Sequence, residues 1–310
     1  MYRLGFDIGG THIACGILND ENFEIIGKTA CAFVRGQSPE ETARRMAELA
    51  EKAAAQCGIA LCALESVGVC IPGSIDTRRG VVLDAYNLGF HNVPFRKIVE
   101  DVFERPAVLL NDADAAALAE HRCGALRGTK NSVLVTLGTG FGGGIILNGE
   151  LFCGGRGFGV ELGHIQMDKN GELCTCGRRG CVETLCAASR LAREAKKMAG
   201  ERQKQGAYAD LALYDAETLI KAAQAGDAAC MAAWNNYLDD LANALVSLIN
   251  ILDPEVIAVG GGVSGAGDFL IRPLNERVAA GSFFREPTPI VKAFLENDAG
   301  LVGAAIAANK

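Results

Sequence analysis

The chain lacks the features that mark membrane, secreted and nucleic-acid-binding proteins. No apolar run in its 310 residues approaches the roughly 20 residues needed to span a bilayer. The N-terminus does not resemble a signal peptide, because an acidic residue, Asp7, interrupts it. Acidic residues outnumber basic ones, 37 to 30, and the net charge of -7 disfavours nucleic acid, which requires a basic face. We therefore expect neither a membrane nor a nucleic-acid partner.

Low-complexity segments, short-period repeats and two common nucleotide-binding signatures are also absent. Neither the Rossmann pattern G-x-G-x-x-G nor the P-loop pattern G-x-x-x-x-G-K-[ST] occurs between a predicted strand and a predicted helix. The composition, with 49% hydrophobic and 22% charged residues, is that of an ordinary globular protein. The length suffices for two modest domains, each with its own core.

Cysteine is unusually frequent, with 12 residues. A long chain without an export signal is not typical of a disulfide framework, so we expect a reducing cytoplasm. Several cysteines (Cys15, Cys62 and Cys70) lie in apolar segments, where a thiol behaves as a small hydrophobe.

One cluster of cysteines needs a separate explanation. Cys174, Cys176 and Cys181 fall within a short segment downstream of His164, and three thiolates with an imidazole are the donors of a tetrahedral zinc site. The alternative is that some of these cysteines are merely buried. Glu161 and Glu183 flank the segment and are not needed to close such a site, which suggests that something polar binds nearby.

Strands and helices alternate along the chain, which predicts α/β layers with mixed sheets. The predicted strands are 3–8, 11–18, 23–33, 66–71, 107–110, 132–137, 145–147, 255–259 and 289–294. The predicted helices are 38–57, 94–104, 111–123, 184–199, 216–224, 227–252 and 299–309, and we expect segment 200–213 to be a surface excursion. Two similar β-rich halves, each ending in helices, fit a duplicated two-lobed architecture with a cleft between the lobes.

Three glycine-rich turns each follow a predicted strand. Glycine lets consecutive backbone N–H groups converge on an anion, and phosphate is the obvious candidate. Hairpins and helix caps also use glycine, so a single turn is weak evidence and the three together are stronger. The turns are Asp7-Ile8-Gly9-Gly10-Thr11, Leu137-Gly138-Thr139-Gly140 and Val259-Gly260-Gly261-Gly262.

Two aspartates at strand ends could serve such a ligand. Asp7 stands beside the first glycine turn, where a carboxylate can hold hydrated Mg²⁺ near phosphates; the alternative is an ordinary turn aspartate. Asp112 follows a strand and opens an alanine-rich helix, so it is either an N-cap or a general base at the carboxyl edge of a sheet.

Taken in order, these segments resemble the motifs of the ROK family (repressors, open reading frames and sugar kinases), within the actin-like ATPase and hexokinase superfamily. Asp7–Thr11 and 137–144 resemble its two phosphate motifs, and 260–263 its adenosine motif. Asn111-Asp112 matches the catalytic pair. The segments 161–164 and 174–183 match the two signature motifs.

The resemblance implies a two-lobed actin-like ATPase fold of the ribonuclease H and hexokinase type, with mixed sheets and a cleft between the lobes. The smaller N-terminal lobe would comprise residues 1–116 with the C-terminal helix at about 299–310. The larger lobe, residues 117–298, would carry the zinc site and the adenosine motif. A homodimer is implied as well.

The resemblance also implies an ATP-dependent kinase that acts on the 6-hydroxyl of a hexose, with Asp112 as the base. Hydrogen bonds to sugar hydroxyls would come from Asn111, Asp112, Glu161, His164 and Glu183, with Gly73 and Asn87 lining the sugar pocket. ATP and Mg²⁺ would be held by Asp7, Gly9, Gly10, Thr11, Gly138, Thr139, Gly140, Gly261 and Gly262. Structural Zn²⁺ would be bound by His164, Cys174, Cys176 and Cys181, leaving the other imidazole nitrogen of His164 for a sugar hydroxyl.

Substrate identity and functional class depend on finer features. Glu161 with His164 resembles the glucose and N-acetylmannosamine branch of the family rather than the fructokinases, and the stretch Asn87–Pro94 resembles bacterial glucokinases. Allose kinases share nearly all of these motifs, so allose and N-acetylmannosamine stay alternatives to glucose. Repressors of the family carry a helix-turn-helix module, for which six residues before Asp7 leave no room, so a sugar-sensing regulator is disfavoured. A sugar-binding protein without turnover is a second alternative, although Asp112 and all three loops are present. One departure from the family pattern is His12, where Lys or Asn is common, and we assign it no role.

Overall fold

The computed structural model describes residues 2–204 and 214–308, with the side chains of 202–204 left out. Its strands are β1 Tyr2–Ile8, β2 His12–Asn19, β3 Ile25–Ala32, β4 Leu64–Ile71, β5 Ser74–Asp76, β6 Val81–Ala85, β7 Phe90–Val93, β8 Ala107–Asn111, β9 Ser132–Leu137, β10 Phe141–Leu147, β11 Glu150–Leu151, β12 Val256–Gly260 and β13 Ile290–Lys292. Its helices are α1 Pro39–Cys57, α2 Phe95–Phe103, α3 Asp112–Cys123, α4 Val182–Cys186, α5 Ala188–Lys204, α6 Ala216–Gln224, α7 Ala228–Leu252, α8 Asp268–Gly281 and α9 Ala299–Ala307. Across the described part of the chain, no helix combines the length and the apolar character that a bilayer span requires.

The chain folds into two compact units. The first comprises Met1–Lys130, Gly144–Val160 and Leu295–Lys310, and the second comprises Asn131–Gly143 and Glu161–Phe294. The boundary predicted for the N-terminal lobe, residue 116, falls inside the continuous helix α3, whereas the first compact unit extends to Lys130.

The first unit is built on a five-stranded sheet with the order β3-β2-β1-β4-β8. Strand β1 pairs antiparallel with β2 and parallel with β4, and β4 pairs parallel with β8. Their near-continuous apolar sequences follow from burial on both faces. The carboxyl ends of β1, β4 and β8 therefore meet at one edge of the sheet.

Helix α1 covers one face of this sheet and carries clear boundary signals. Ser38 accepts a hydrogen bond from the N–H of Glu41, and the Glu41 carboxylate accepts one from the N–H of Ser38, which completes a capping box. The helix ends at Gly58, whose φ of 67° lies in the left-handed region that glycine tolerates best. These signals explain why the predicted and observed limits agree closely.

The backbone of helix α9 packs directly against the backbone of the same sheet. An added Cβ at Gly68 would lie 1.8 Å from the carbonyl oxygen of Ala304, and one at Gly303 would lie 1.8 Å from that of Ala115. Only glycine fits at either position, and the apolar residues of α9 are almost completely buried.

The second unit contains the parallel strands β9, β12 and β13, which belong to a sheet of order β11-β10-β9-β12-β13. The limit between the two units falls inside β10, at Gly143. Helices α4 to α8 belong to this second unit. Trp234 of α7 stacks between Tyr237 and Phe269, with both ring centroids 5.4 Å away.

Several elements were not predicted. The three-stranded sheet β5-β6-β7 consists of short strands between turns, and α8 contains Pro273, which removes a helical hydrogen bond. The predicted surface excursion at 200–213 is wrong at its start, because 200–204 continue helix α5. Its remainder, 205–213, lies outside the described residues.

Glu120 ties the C-terminal end of α3 to the segment that leads into α9. Its fully buried carboxylate accepts hydrogen bonds from the N–H of Ala125 at 2.6 Å and from the N–H of Leu295 at 2.7 Å. Both donors lie on irregular backbone, so the carboxylate satisfies N–H groups that would otherwise need another partner.

We expect Glu120→Gln to destabilise the protein by about 1–3 kcal/mol, because the amide NH₂ would face a backbone N–H where a carboxylate oxygen now accepts. Urea unfolding followed by circular dichroism measures this loss. The exposed Glu51→Gln should leave stability unchanged. Equal stability of the Glu120 and Glu51 variants would contradict the prediction.

Candidate functional site

The carboxyl edge of the first sheet gathers polar residues from three neighbouring strands. Asp7 of β1 is paired in register with Cys70 of β4, and Ile71 of β4 with Asn111 of β8. This is the edge at which open α/β sheets bind ligands. The predicted placement of Asp7 and Asp112 at strand ends is therefore observed.

The Asp7 carboxylate is half-buried and enclosed by groups of its own unit. The thiol of Cys70 donates a hydrogen bond to Oδ1 of Asp7, with a sulfur–oxygen distance of 3.6 Å. Burial raises the pKa of Asp7, while the neighbouring His12 imidazole, the Cys70 hydrogen bond and Lys28 oppose that rise. Burial and the nearby carboxylates raise the pKa of the Cys70 thiol well above its usual value.

The first glycine turn joins β1 to β2 beside this carboxylate. The N–H of Gly9 donates to the carbonyl of His12 at 2.8 Å, which closes the hairpin. The His12 ring lies against Gly9, where an added Cβ would be 3.1 Å from Cε1. Asn87 lies against Gly10, because an added Cβ there would be 3.0 Å from the Cβ of Asn87. The turn therefore presents backbone between two polar side chains.

Asn111 links the turn at Gly73 to the start of helix α3. Its Nδ2 donates to the carbonyl of Gly73 at 2.8 Å, and its Oδ1 accepts from the N–H of Ala113 at 2.8 Å. Asn111 is thus the N-cap of α3, so the interpretation of Asp112 as the N-cap is wrong. Asp112 occupies the first turn and is exposed, although its Oδ1 also accepts from the Ala113 N–H at 2.9 Å.

Gly73 shows why this edge needs a glycine. Its φ of 105° is in the left-handed range, and an added Cβ would lie 2.1 Å from the carbonyl of Asp84. Asp84 is the second-last residue of β6, and the turn that follows this strand carries Asn87. Gly73 therefore holds the Asn87 turn against the end of β4.

The second unit brings the four predicted metal ligands together. One donor atom from each of His164, Cys174, Cys176 and Cys181 lies within 4.8 Å of the others. The two sulfurs of Cys176 and Cys181 are 3.6 Å apart, and Sγ of Cys174 is 3.6 Å from Nδ1 of His164. With Zn–S bonds of ~2.3 Å, two ligands of a tetrahedral ion lie ~3.8 Å apart, so the donor set fits such an ion.

Local backbone geometry produces this arrangement. The N–H of Cys174 donates to the carbonyl of Arg178 at 2.7 Å, and the N–H of Gly177 donates to that of Cys174 at 2.9 Å. The N–H of Arg178 and the neighbouring thiols lower the pKa of Cys176 to about 6, whereas burial raises that of Cys181 to about 12. Cys176 is the thiol that ionises first, which favours metal binding there.

His164 presents its two ring nitrogens to different partners. Nδ1 faces the sulfur of Cys174, and Nε2 lies 4.0 Å from Oε2 of Glu161. That separation exceeds a hydrogen bond, but a hydroxyl oxygen ~2.8 Å from each atom would bridge them. The geometry leaves one nitrogen for a metal and the other for a polar ligand.

Glu183 connects the metal cluster with the second glycine turn. Its Oε2 accepts from the N–H of Phe141 at 3.2 Å, and its Oε1 accepts from the hydroxyl of Thr175 at 3.3 Å. An added Cβ at Gly140 would lie 2.6 Å from Oε2 of Glu183. The carboxylate therefore packs directly on the turn, and a side chain at Gly140 would displace it.

The second and third glycine turns lie side by side. They follow the parallel strands β9 and β12, and Thr136 is paired with Gly260. Gly261 has a φ of 80°, and an added Cβ would lie 2.6 Å from the backbone of Leu137. Their backbone N–H groups are therefore close enough to serve one ligand.

A cavity of about 370 Å³ opens beside the third turn. Helix α6 supplies one wall, the turn after Gly261 supplies another, and the volume suits a small organic ligand. The lining residues are Ala188, Asp215, Ala216, Glu217, Ile220, Lys221, Gln224, Gly262, Val263, Gly265 and Ala266. Among them, the sequence motifs marked only Gly262 and Val263, because the sequence of α6 is that of an ordinary amphipathic helix.

The predicted site residues thus form two groups, one in each unit. The first unit holds Asp7, Gly9, Gly10, Thr11, Gly73, Asn87, Asn111 and Asp112. The second holds Gly138, Thr139, Gly140, Glu161, His164, Cys174, Cys176, Cys181, Glu183, Gly261 and Gly262.

We expect Asp7→Asn to raise the Tm at pH 7. The pKa of Asp7 is higher in the fold than in the unfolded chain, so its ionised form destabilises the fold. Stability is therefore lost as pH rises toward the folded pKa, and the variant should exceed wild type most at neutral pH and least in acid. Calorimetry across that range tests this, with the exposed Asp101→Asn as control. A lower Tm for Asp7→Asn at pH 7 would contradict the prediction.

Comparison with known proteins covers nearly the whole chain. The model of the ROK family matches residues 3–310. The glucokinase of Thermotoga maritima is 33% identical over 97% of this chain and 95% of its own length. The N-acetylmannosamine kinase of Yersinia pseudotuberculosis is 32% identical over 98% of this chain and 97% of its own length.

Similarity extends to three-dimensional structure. A ROK family glucokinase from Streptomyces griseus, solved in complex with glucose and AMPPNP, is 32% identical with a TM-score of 0.82. The alignment covers 100% of this chain and 99% of that one. The mixed α/β fold of actin-like ATPases is therefore confirmed, and the chain belongs to the ROK family.

Proposed function

We propose that the protein transfers the γ-phosphoryl group of ATP to the 6-hydroxyl of a hexose, with glucose as the preferred substrate. The observation that carries the proposal is the placement of an exposed Asp112 on the same sheet edge as the Asp7 hairpin. A base for the sugar hydroxyl and a turn for phosphate are thus parts of one unit.

Asp112 accepts the proton of the 6-hydroxyl as the oxygen attacks phosphorus. Asn111 is the N-cap of α3, and the exposed Asp112 in the first turn is accessible to a ligand. The Asn111 Nδ2 bond to Gly73 fixes the strand end that carries both residues. This positioning matters because alignment supplies much of the acceleration in phosphoryl transfer.

The glycine turns bind the phosphates through backbone N–H groups. Because glycine has no side chain, the phosphate oxygens can approach the backbone closely. Asp7 holds Mg²⁺ through bound water, which suits a hard cation that keeps its hydration shell. When bound, Mg²⁺ neutralises charge on the phosphate oxygens. The nucleoside occupies the cavity beside Gly262, where Ile220 and Val263 offer apolar surface.

In the second unit, Glu161, His164 and Glu183 offer groups that bind hexose hydroxyls. In the first unit, Asn111 offers a further donor, and Gly73 and Asn87 shape its surroundings. The 4.0 Å gap between Nε2 of His164 and Oε2 of Glu161 supports a bridging hydroxyl. Donors and acceptors that a bound sugar covers discriminate epimers strongly, because a mismatched hydroxyl leaves them unpaired.

Glucose is preferred over N-acetylmannosamine and allose on the strength of the Asn87–Pro94 stretch, whereas Glu161 with His164 argues only against fructose. The glucokinase of T. maritima and the N-acetylmannosamine kinase of Y. pseudotuberculosis are almost equally similar, so identity alone does not separate these substrates. The homodimer implied by the resemblance and the cytoplasmic location expected from the cysteine usage stay predictions.

The four-residue cluster binds Zn²⁺ as a structural ion with no open position. Its ligands would be His164, Cys174, Cys176 and Cys181, whose donor spacing fits a tetrahedral ion. The ion would fix the orientation of the His164 ring, because Nδ1 would bind the ion and Nε2 would face the sugar. Glu183 is placed by the same segment.

The decisive experiment measures ADP release with glucose, allose, mannose, N-acetylmannosamine, N-acetylglucosamine and fructose. We expect the highest kcat/KM with glucose. Asp112→Asn should lower kcat by about 10²–10⁴-fold, as expected for loss of a general base, while glucose binding by calorimetry persists. Asp101→Asn serves as the matched control. Turnover of none of the sugars, or near-normal kcat in Asp112→Asn, would refute the proposal.

A second experiment concerns the metal. Freshly purified protein should contain about one zinc ion per chain. Cys176→Ala should lose the ion and raise the KM for glucose more than that for ATP, because it frees His164 directly and affects the second glycine turn only through Glu183. Cys62→Ala, at an exposed cysteine outside the cluster, should change neither. Zinc-free wild type, or a zinc-free variant with unchanged sugar affinity, would refute the structural role.

A further inference from the structure

Cys70 stands in an unusual position for a buried cysteine. It is fully buried near the carboxyl end of β4, and the register of β1 and β4 places it directly beside Asp7. Its sulfur lies 3.6 Å from Oδ1 of Asp7. A thiol next to a carboxylate at this distance is a hydrogen-bond donor, since the carboxylate can only accept.

Helix α9 closes the other side of the pair. An added Cβ at Gly300 would lie 3.1 Å from Oδ2 of Asp7 and 3.2 Å from the sulfur of Cys70. The carboxylate is therefore confined between the thiol and the backbone of the helix. Both oxygens keep further acceptor capacity, which leaves them able to bind water.

Packing alone does not explain this arrangement. Cys15 lies in the same sheet and is equally buried, and it fills space as a small hydrophobe without a carboxylate beside it. At Cys70 the sheet instead places a polar hydrogen against the one acid of β1. An apolar residue there would leave the half-buried carboxylate without its donor.

We infer that Cys70 is a positioning residue, whose thiol holds the Asp7 carboxylate in the orientation that binds hydrated Mg²⁺. The inference rests on the proposed function, in which Asp7 serves the Mg²⁺ of the nucleotide. Cys70 touches neither the nucleotide nor the sugar, so its effect is confined to the metal requirement. The hydrogen bond to Asp7 limits the rotation of that side chain.

Three variants separate this role from packing. Cys70→Ala removes the donor, Cys70→Ser keeps a shorter one, and Cys15→Ala makes the same truncation in the same sheet away from Asp7. The readout is the Mg²⁺ concentration that gives half-maximal kcat at saturating ATP and hexose. We expect Cys70→Ala to raise it by about fivefold, the worth of an ordinary net hydrogen bond, with the KM for hexose unchanged.

Cys70→Ser should fall between Cys70→Ala and wild type, and Cys15→Ala should match wild type. Equal Mg²⁺ requirements in Cys70→Ala and Cys15→Ala, or a serine variant no better than the alanine variant, would overturn the inference. Gly300→Ala is a second, independent test. Its methyl group would crowd the Asp7 carboxylate while the Cys70 thiol remains, so it should also raise the Mg²⁺ requirement. Wild-type Mg²⁺ dependence in that variant would contradict the idea that helix α9 confines the carboxylate.

A binding measurement keeps this inference separate from the proposed function. Titration calorimetry of Mg²⁺·AMPPNP into wild type and Cys70→Ala needs no turnover. A wild type that phosphorylates no hexose refutes the function, yet Mg²⁺-dependent binding that weakens in Cys70→Ala would still support the inference. A wild type that turns over, with identical Mg²⁺-dependent binding in Cys70→Ala, refutes the inference alone.

Discussion

The close approach of helix α9 to the first sheet is the constraint on which the site of the first unit depends. Gly68 and Gly303 leave no room for a side chain, so the helix backbone rests directly on strand and on α3. Gly300 then comes within reach of the Asp7 carboxylate and the Cys70 thiol. A helix held farther away by larger residues would leave that carboxylate open to water and free to rotate. Tight packing in this unit therefore sets the chemistry of one acid.

The second unit combines a packed core with a group of donors that fits a metal ion. Trp234 and Tyr237 are buried in that core, and His164, Cys174, Cys176 and Cys181 bring their donor atoms within 4.8 Å of one another. Glu183 connects this cluster with the second glycine turn by accepting a hydrogen bond from the N–H of Phe141. Under the proposed function, a bound zinc ion would therefore order His164 and a neighbouring glycine turn of the same unit.

Prediction from sequence succeeded where a local signal has a local cause. The capping box at Ser38, the glycine turns after strands and the cysteine spacing each depend on residues close in the chain, and each is observed. The short strands β5 to β7 were missed because they lie between turns, and α8 was missed because Pro273 interrupts its apolar periodicity. The cavity beside α6 was missed for another reason: a wall of a cavity looks like any other helix face until its partner is known.

Cys70 shows most clearly which features follow from the sequence and which need the tertiary structure. The sequence by itself determined that a thiol lies in a buried strand, that Asp7 precedes a glycine turn and that four metal donors cluster near two acids. Only the tertiary structure decided that Cys70 faces Asp7, that Asn111 rather than Asp112 caps α3, and that Gly300 closes over the carboxylate. The physical reason is strand register: pairing between residues far apart in the chain is set by the whole sheet and its covering helix, and no local pattern encodes it.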